Sequence, residues 1–348
     1  MSKIDLRSDT VTKPCAEMRN ANLFCEFGDD VYEEDEVVKK LELEIASYFK
    51  KESALFFPTG TMANLTALLT WCNKRGSEVI VGNKNHIFLF EQGGASQFGG
   101  ISYSTVPTQE DGTMKLTDIE NAIRDTDIHE AITSLIAIEN THNACGGKIL
   151  PLDYLKNLKK LSNTYQIPIH MDGARLWNAL EEYKVDVVES ITENVDSISV
   201  CLSKGLGAPL GSLLVGTNDF IQKARRYRKA LGGGMRQTGF VASAGLIAFN
   251  NFKKHMLKED HNKAKRISKC LQGLKNFEVQ INVETNILFI KINQTKNDAE
   301  IIDYLKERNI YLSHWDHHLL RIVIHKDITE EDVDTIIQTF LKLNNELS

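Results

Sequence analysis

Short β-branched and aromatic runs alternating with longer segments of helical spacing predict an α/β fold, a large mostly parallel sheet with helices on both faces, for this 348-residue chain. Two further observations agree with it. The length leaves room for a second, smaller unit, and after Gln237 the alternation gives way to a long helical stretch followed by clustered strands.

In chain order, the strands expected for the large sheet are Ala54 to Phe57, Glu78 to Val81, Ile101 to Val106, Ser134 to Ile138, Ile167 to Met171, Ser197 to Leu202 and Ser212 to Val215. Beyond them, TGFVASAGLIAFNNF to ISKCLQGL reads as helix, and FEVQI, NILFIKI, IYLSH and LLRIVIH as strands of a small α+β unit. Thr329 is placed to cap a last helix, EEDVDTIIQTFLKL. The expected division is 1–242 for an N-terminal arm and large domain and 243–348 for the small one.

Composition removes several classes of function. The 41 Lys and Arg against 47 Asp and Glu leave a formal charge of −6, so no overall positive field collects nucleic acid or anionic membrane. MSKIDLRSDT has no apolar signal core, and no stretch approaches the roughly 18 apolar residues of a membrane helix; a cytoplasmic location is expected. Six cysteines, at 15, 25, 72, 145, 201 and 270, form no Cys-x-x-Cys and read as reduced thiols. No ligand-spaced cluster calls for a metal.

Chemistry concentrates where strands end. Lys204 follows SISVCL and is followed by Gly205, which puts a primary amine at a strand terminus, where open α/β sheets bind ligands. Such an amine either attacks a carbonyl or simply reaches water. Asp172 follows the strand PIHM and precedes Gly173, Ala174 and Arg175. It can cap the next helix or hold the nitrogen of a pyridine cofactor such as pyridoxal phosphate (PLP) protonated.

Phe57-Pro58-Thr59-Gly60-Thr61 leads from a strand into a helix, so the free N–H groups of Gly60 and Thr61 and the Thr61 hydroxyl suit a phosphate. His86, after EVIVG, could stack on a flat ring. His129 and His142 flank SLIAIE, and either could act as a general base.

In QKARRYRKALGGGMRQ, the residues Arg225, Arg226, Arg228 and Lys229 read mostly as a solvated helix face, with Arg236 better placed to reach an anion, including one in a neighbouring subunit. Arg175 and Arg321 are candidates for a carboxylate clamp.

Taken together, LRSDTVTKP (6–14), GDDVY (28–32), PTGT (58–61), ENTHN (139–143), HMDGAR (170–175), CLSKGLGAPLGS (201–212) and GGGMRQ (232–237) resemble the threonine aldolases, which are PLP enzymes of fold type I. The likeness runs from Ile4 to about Asp327. It implies retro-aldol cleavage of L-threonine, L-allo-threonine and related β-hydroxy amino acids to glycine and an aldehyde.

The same resemblance implies that Lys204 carries PLP, Asp172 pairs with its ring nitrogen and His86 covers its face. Gly60, Thr61 and Ser203 would hold the phosphate, with Arg175 and Arg236 also near the cofactor. Ser8, Arg175 and Arg321 would hold the substrate carboxylate. His129 would face the substrate hydroxyl as the preferred base, with His86 or water as alternatives, and Lys229 and Arg236 would cross an interface in a homotetramer.

Three residues depart from the family pattern: Glu33 where many relatives have glycine, and Glu130 and Ile132 where relatives often have an aromatic and an arginine. These departures bear on substrate preference. The competing readings are another PLP reaction, β-elimination or transamination, recognised by pyruvate and ammonia, and a non-catalytic protein that keeps the scaffold.

Overall fold

The computed structural model describes residues 3–183, 187–279, 282–293 and 297–347. Its strands are β1 (Ile4–Asp5), β2 (Ser53–Phe57), β3 (Ser77–Gly82), β4 (Ser102–Val106), β5 (Ile132–Glu139), β6 (Ile169–Gly173), β7 (Ser197–Cys201), β8 (Ser212–Gly216), β9 (Phe277–Val279), β10 (Ile287–Ile292), β11 (Ile310–Tyr311), β12 (Ser313–Asp316) and β13 (Leu319–Val323).

Strands β2 to β8 are the seven expected ones, each within two residues of its predicted bounds. They form a single sheet in the order β2-β8-β7-β6-β5-β3-β4. Strand β8 runs antiparallel to both neighbours, and the other pairs are parallel. Every residue of β3, β6, β7 and β8 is buried, as a sheet covered on both faces requires.

The two faces are visible in the alternation along each strand. Phe56, Ile80, Ile136 and Val200 share one core with helices Glu36–Tyr48, Leu152–Tyr165 and Gly239–Phe252. Their neighbours Val79, Val81 and Leu135 face a second core, and Leu55, Phe57 and Leu214 a third, against helices Gly60–Trp71 and Asn218–Ala230. The helix termini are specified locally. Asp35, Thr59 and Thr217 accept hydrogen bonds from the N–H groups of Val38, Met62 and Phe220.

The small unit has an antiparallel sheet in the order β12-β13-β10-β9 and a separate parallel pair, β1 with β11. Of the predicted strand FEVQI, Phe277–Val279 is found and Gln280 and Ile281 lie outside the described residues. Thr329 caps helix Glu330–Glu346 in a capping box with Asp332.

The boundary expected at Ser243 falls inside helix Gly239–Phe252, whose Ala242, Ala248 and Phe252 belong to the first core of the large sheet. The cores change over within the next helix, Leu257–Leu271: Leu257 packs with the large sheet, Ala264 and Ile267 with the small one. The N-terminal arm also crosses. Ile4 and Leu6 are buried in the small unit's core, while the Thr12 hydroxyl donates to the Lys204 carbonyl at 2.9 Å.

Candidate active site

Five strands of the large sheet, β2, β3, β5, β6 and β7, end on the same edge and deliver polar side chains there. Asp172 is the penultimate residue of β6, Glu139 closes β5 beside it in register, Lys204 comes three residues after β7, His86 four after β3 and Gly60 three after β2. Gly60, Thr61, His86, Asp172, Ser203 and Lys204 line one cavity of about 340 Å³, together with Asn64 and Glu91.

The Asp172 carboxylate is buried, with two of its lone pairs already used: Oδ1 accepts the Ala174 N–H at 3.0 Å and Oδ2 the Asn64 side-chain amide at 3.0 Å. Asn64 is itself held by Ser199, at 2.6 Å, and by His170, at 3.2 Å. Burial pushes His170 down to about 4, so it braces this network as a neutral ring. The carboxylate is therefore fixed in direction before any ligand arrives.

His86 is fixed at both ends. Its backbone N–H donates to Glu139 at 2.6 Å, and its Nδ1 lies 3.1 Å from Glu91 Oε1. Burial works against protonation of His86, but the bond to Glu91 and the negative charge of Asp172 outweigh it and hold its pKa above the usual imidazole value. Donor atoms of His86, Glu91 and Asp172 lie within 4.8 Å of one another, a cluster invisible in sequence spacing.

At the phosphate candidate, Thr59 rather than Gly60 is the cap, so the first two helical N–H groups, those of Gly60 and Thr61, have no acceptor within the helix. A Cβ at Gly60 would lie 2.7 Å from Cys201 Sγ, so only glycine keeps this approach open. A lysine amine, an oriented carboxylate, an imidazole and an anion cradle on one cavity together fit a phosphorylated pyridine aldehyde.

Next to the cavity sits a buried charge cluster. Arg175 grips Asp9 in a two-pronged pair, Nε to Oδ2 at 2.9 Å and Nη2 to Oδ1 at 2.6 Å. Arg321, from β13, donates to Asn143 Oδ1 at 2.7 Å, while its buried Nε has no partner. Burial and the adjacent Arg175 pull the Arg321 pKa down to about 9. Arg175 is thus neutralised by Asp9, and Arg321 is the guanidinium still short of an anion. Ser8 stands at the edge of the cluster, its Oγ accepting the Thr10 N–H.

Other expected residues lie elsewhere within one chain. His129 is 83% exposed on the loop before β5, and the eight residues of β5 carry it roughly 23 Å from the cavity edge. Its neighbours Glu130 and Ile132 are at that same far end. Glu33 has a left-handed φ of 58°, the conformation a glycine adopts freely, and its carboxylate faces Arg225 at 3.7 Å. Lys229 and Arg236 are exposed, Arg236 lying 3.6 Å from Asp29.

Two further residues are buried away from solvent. His142 is fully buried, with Nε2 on Asn85 at 3.1 Å. Arg228, expected on a solvated face, is buried between the Phe56 carbonyl and Asp30, 2.7 Å from each.

The beta-eliminating lyase family model matches residues 5–295. Low-specificity L-threonine aldolase 1 of Arabidopsis thaliana is 43% identical over 346 residues, covering 98% of this chain and 96% of that protein. The chain belongs to the threonine aldolase family. The Escherichia coli K12 low specificity L-threonine aldolase is also 43% identical, with 95% and 96% covered. The solved Leishmania major threonine aldolase superposes with a TM-score of 0.83 at 19% identity over 98% of this chain and 99% of that one. The fold is therefore the fold type I expected of the resemblance. Among the described residues, no helix is long and apolar enough to cross a membrane.

Proposed function

We propose that this protein is a PLP-dependent low-specificity L-threonine aldolase that breaks the Cα–Cβ bond of L-threonine and L-allo-threonine to give glycine and acetaldehyde. The observation that carries the proposal is the convergence of Lys204, the braced Asp172, His86 and the Gly60–Thr61 helix start on one cavity, with the under-neutralised Arg321 beside it.

In this reading the Lys204 amine would hold the cofactor covalently, Asp172 would keep a proton on the ring nitrogen, and His86 would cover the ring face. Gly60, Thr61 and Ser203 take the phosphate. The chemistry the bound group supplies is an electron sink for the pair left at Cα.

Arg321 binds the substrate carboxylate, assisted by Ser8 and the edge of Arg175. That anchor, together with the amine, would fix the substrate's orientation at Cα and so select the bond to the hydroxyl-bearing carbon for cleavage. Burial of the clamp keeps water from competing for the carboxylate.

A base must accept the hydroxyl proton. His129 is oriented for this by Asp127, whose Oδ1 lies 2.6 Å from Nδ1 and leaves Nε2 free. Since His129 cannot reach the cavity of its own chain, we place it in the site of a neighbouring subunit, with Lys229 and Arg236 crossing the same way. Exposed Leu23, Phe24, Tyr32 and Phe240 support self-association, and a homotetramer is our reading. Six unpaired cysteines fit a reducing, cytoplasmic setting.

Incubation of purified protein with each threonine epimer tests the proposal. Glycine and acetaldehyde in equal amounts are expected; a 2-oxo acid with ammonia would establish β-elimination instead.

A further inference from the structure

The end of β12 and the turn joining it to β13 read His314-Trp315-Asp316-His317-His318, three imidazoles in five residues that the proposed reaction leaves unused. All three converge on Asp298, the first residue of helix Asp298–Glu307. His314 Nε2 is 2.8 Å from Asp298 Oδ2, His318 Nδ1 is 2.8 Å from Oδ1, and His317 Nδ1 is 3.9 Å from Oδ2. The ligating atoms of Asp298, His317 and His318 all lie within 4.8 Å of one another.

A single carboxylate thus gathers three imidazole rings around it. The His318 N–H also donates to Oδ2 at 2.7 Å, tying the turn to the helix, and the rings of His317 and His318 lie 4.1 Å apart. The side chain of Asp298 is 13% exposed and that of His317 81%, so a shielded anionic base opens to solvent on one side.

We propose that this cluster binds a divalent transition-metal ion of the zinc class. Asp298, His317 and His318 are the ligands, His314 orients the carboxylate from behind, and water completes the coordination. Metal–ligand bonds of about 2.0–2.2 Å in a tetrahedral arrangement hold donors roughly 3.3 Å apart, and the two Asp298 spacings, 2.8 Å to His318 and 3.9 Å to His317, bracket that value. Imidazole nitrogen selects such ions over magnesium or calcium.

The site is separate from the Lys204 cavity but not from its surroundings. Trp315, in β12 two residues before the turn, lies against the Arg321 guanidinium at 4.9 Å and is 5.7 Å from the Phe90 ring. Its fluorescence therefore reports on the turn.

The test uses untagged holoenzyme, in which cofactor fills the His86–Glu91–Asp172 cluster, titrated with cobalt(II) chloride. One ion per chain is expected, with visible d–d bands of low-coordinate cobalt and quenching of fluorescence that is absent in Trp315→Phe. Zinc chloride should displace the cobalt. His317→Asn/His318→Asn should weaken binding at least about tenfold, whereas His255→Asn, at another exposed His–carboxylate pair, should not. No saturable cobalt binding to the unmodified protein, or equal binding by the double variant, would overturn the proposal.

Discussion

The two edges of the large sheet hold their polar groups differently. At the carboxyl edge Asp172, His86 and Glu91 are held by several hydrogen bonds each, within a network of Asn64, Ser199 and Glu139. At the amino edge His129 stands in solvent with Asp127 as its ring partner, beside Glu130 and Ile132. One chain suffices to preorganise the first set, where burial and low dielectric make direction matter. In the assembly proposed above, the second set would gain a comparable environment against another subunit. On that reading the chemistry of Lys204, Asp172 and His86 is a property of one chain, and hydroxyl chemistry a property of the assembly.

Asp172→Ala should break the carboxyl edge most severely. Loss of the charge at the ring nitrogen is expected to cut glycine release on the order of a thousandfold, about 4 kcal/mol in the barrier. A fall of only a few-fold would remove Asp172 from that role.

The division between edges is sharpened by mixing. His129→Asn alone should lower cleavage roughly a hundredfold, in the range of a lost general base, and leave cofactor absorbance unchanged. Co-expressed with Lys204→Ala, it should regain activity in mixed oligomers, because one subunit then supplies the lysine and another the histidine. Mixed oligomers as inactive as either parent would place both groups in one chain.

Arg321→Ala should raise the KM for threonine about 10- to 100-fold, the worth of a buried charged hydrogen bond, with a smaller effect on kcat. An equal loss in Arg175→Ala with no loss at Arg321 would reverse the assignment of the free cation.

The smallest effect concerns His86. Glu91→Gln should lower its pKa, read from labelled-imidazole NMR, by removing the partner that outweighs burial. Because the folded-state value is raised, this imidazolium stabilises the fold below the unfolded value of 6.5, and the contribution disappears as pH rises through the folded value. An unchanged pKa would mean that Glu91 only positions the ring.

The seven strands were legible because buried parallel strands are short apolar runs with abrupt polar ends, and those same ends mark Lys204, Asp172 and His86. The expected boundary falls inside helix Gly239–Phe252 because that helix is apolar and reads as the start of something new, although its buried face packs on the large sheet. Side-chain partners were least legible. Asn64 reaches Asp172 from 108 residues away, Arg175 takes Asp9 from 166, and Arg228 finds Asp30 across 198. Local hints did exist: Asn64 interrupts an apolar helix one turn after Gly60, and Asp9 lies within LRSDTVTKP.

The account depends most directly on the amine of Lys204. Borohydride reduction of the holoenzyme followed by peptide mapping should find the pyridoxyl adduct on the peptide carrying that lysine and leave Lys204→Ala unlabelled. Label confined to any other lysine would contradict it.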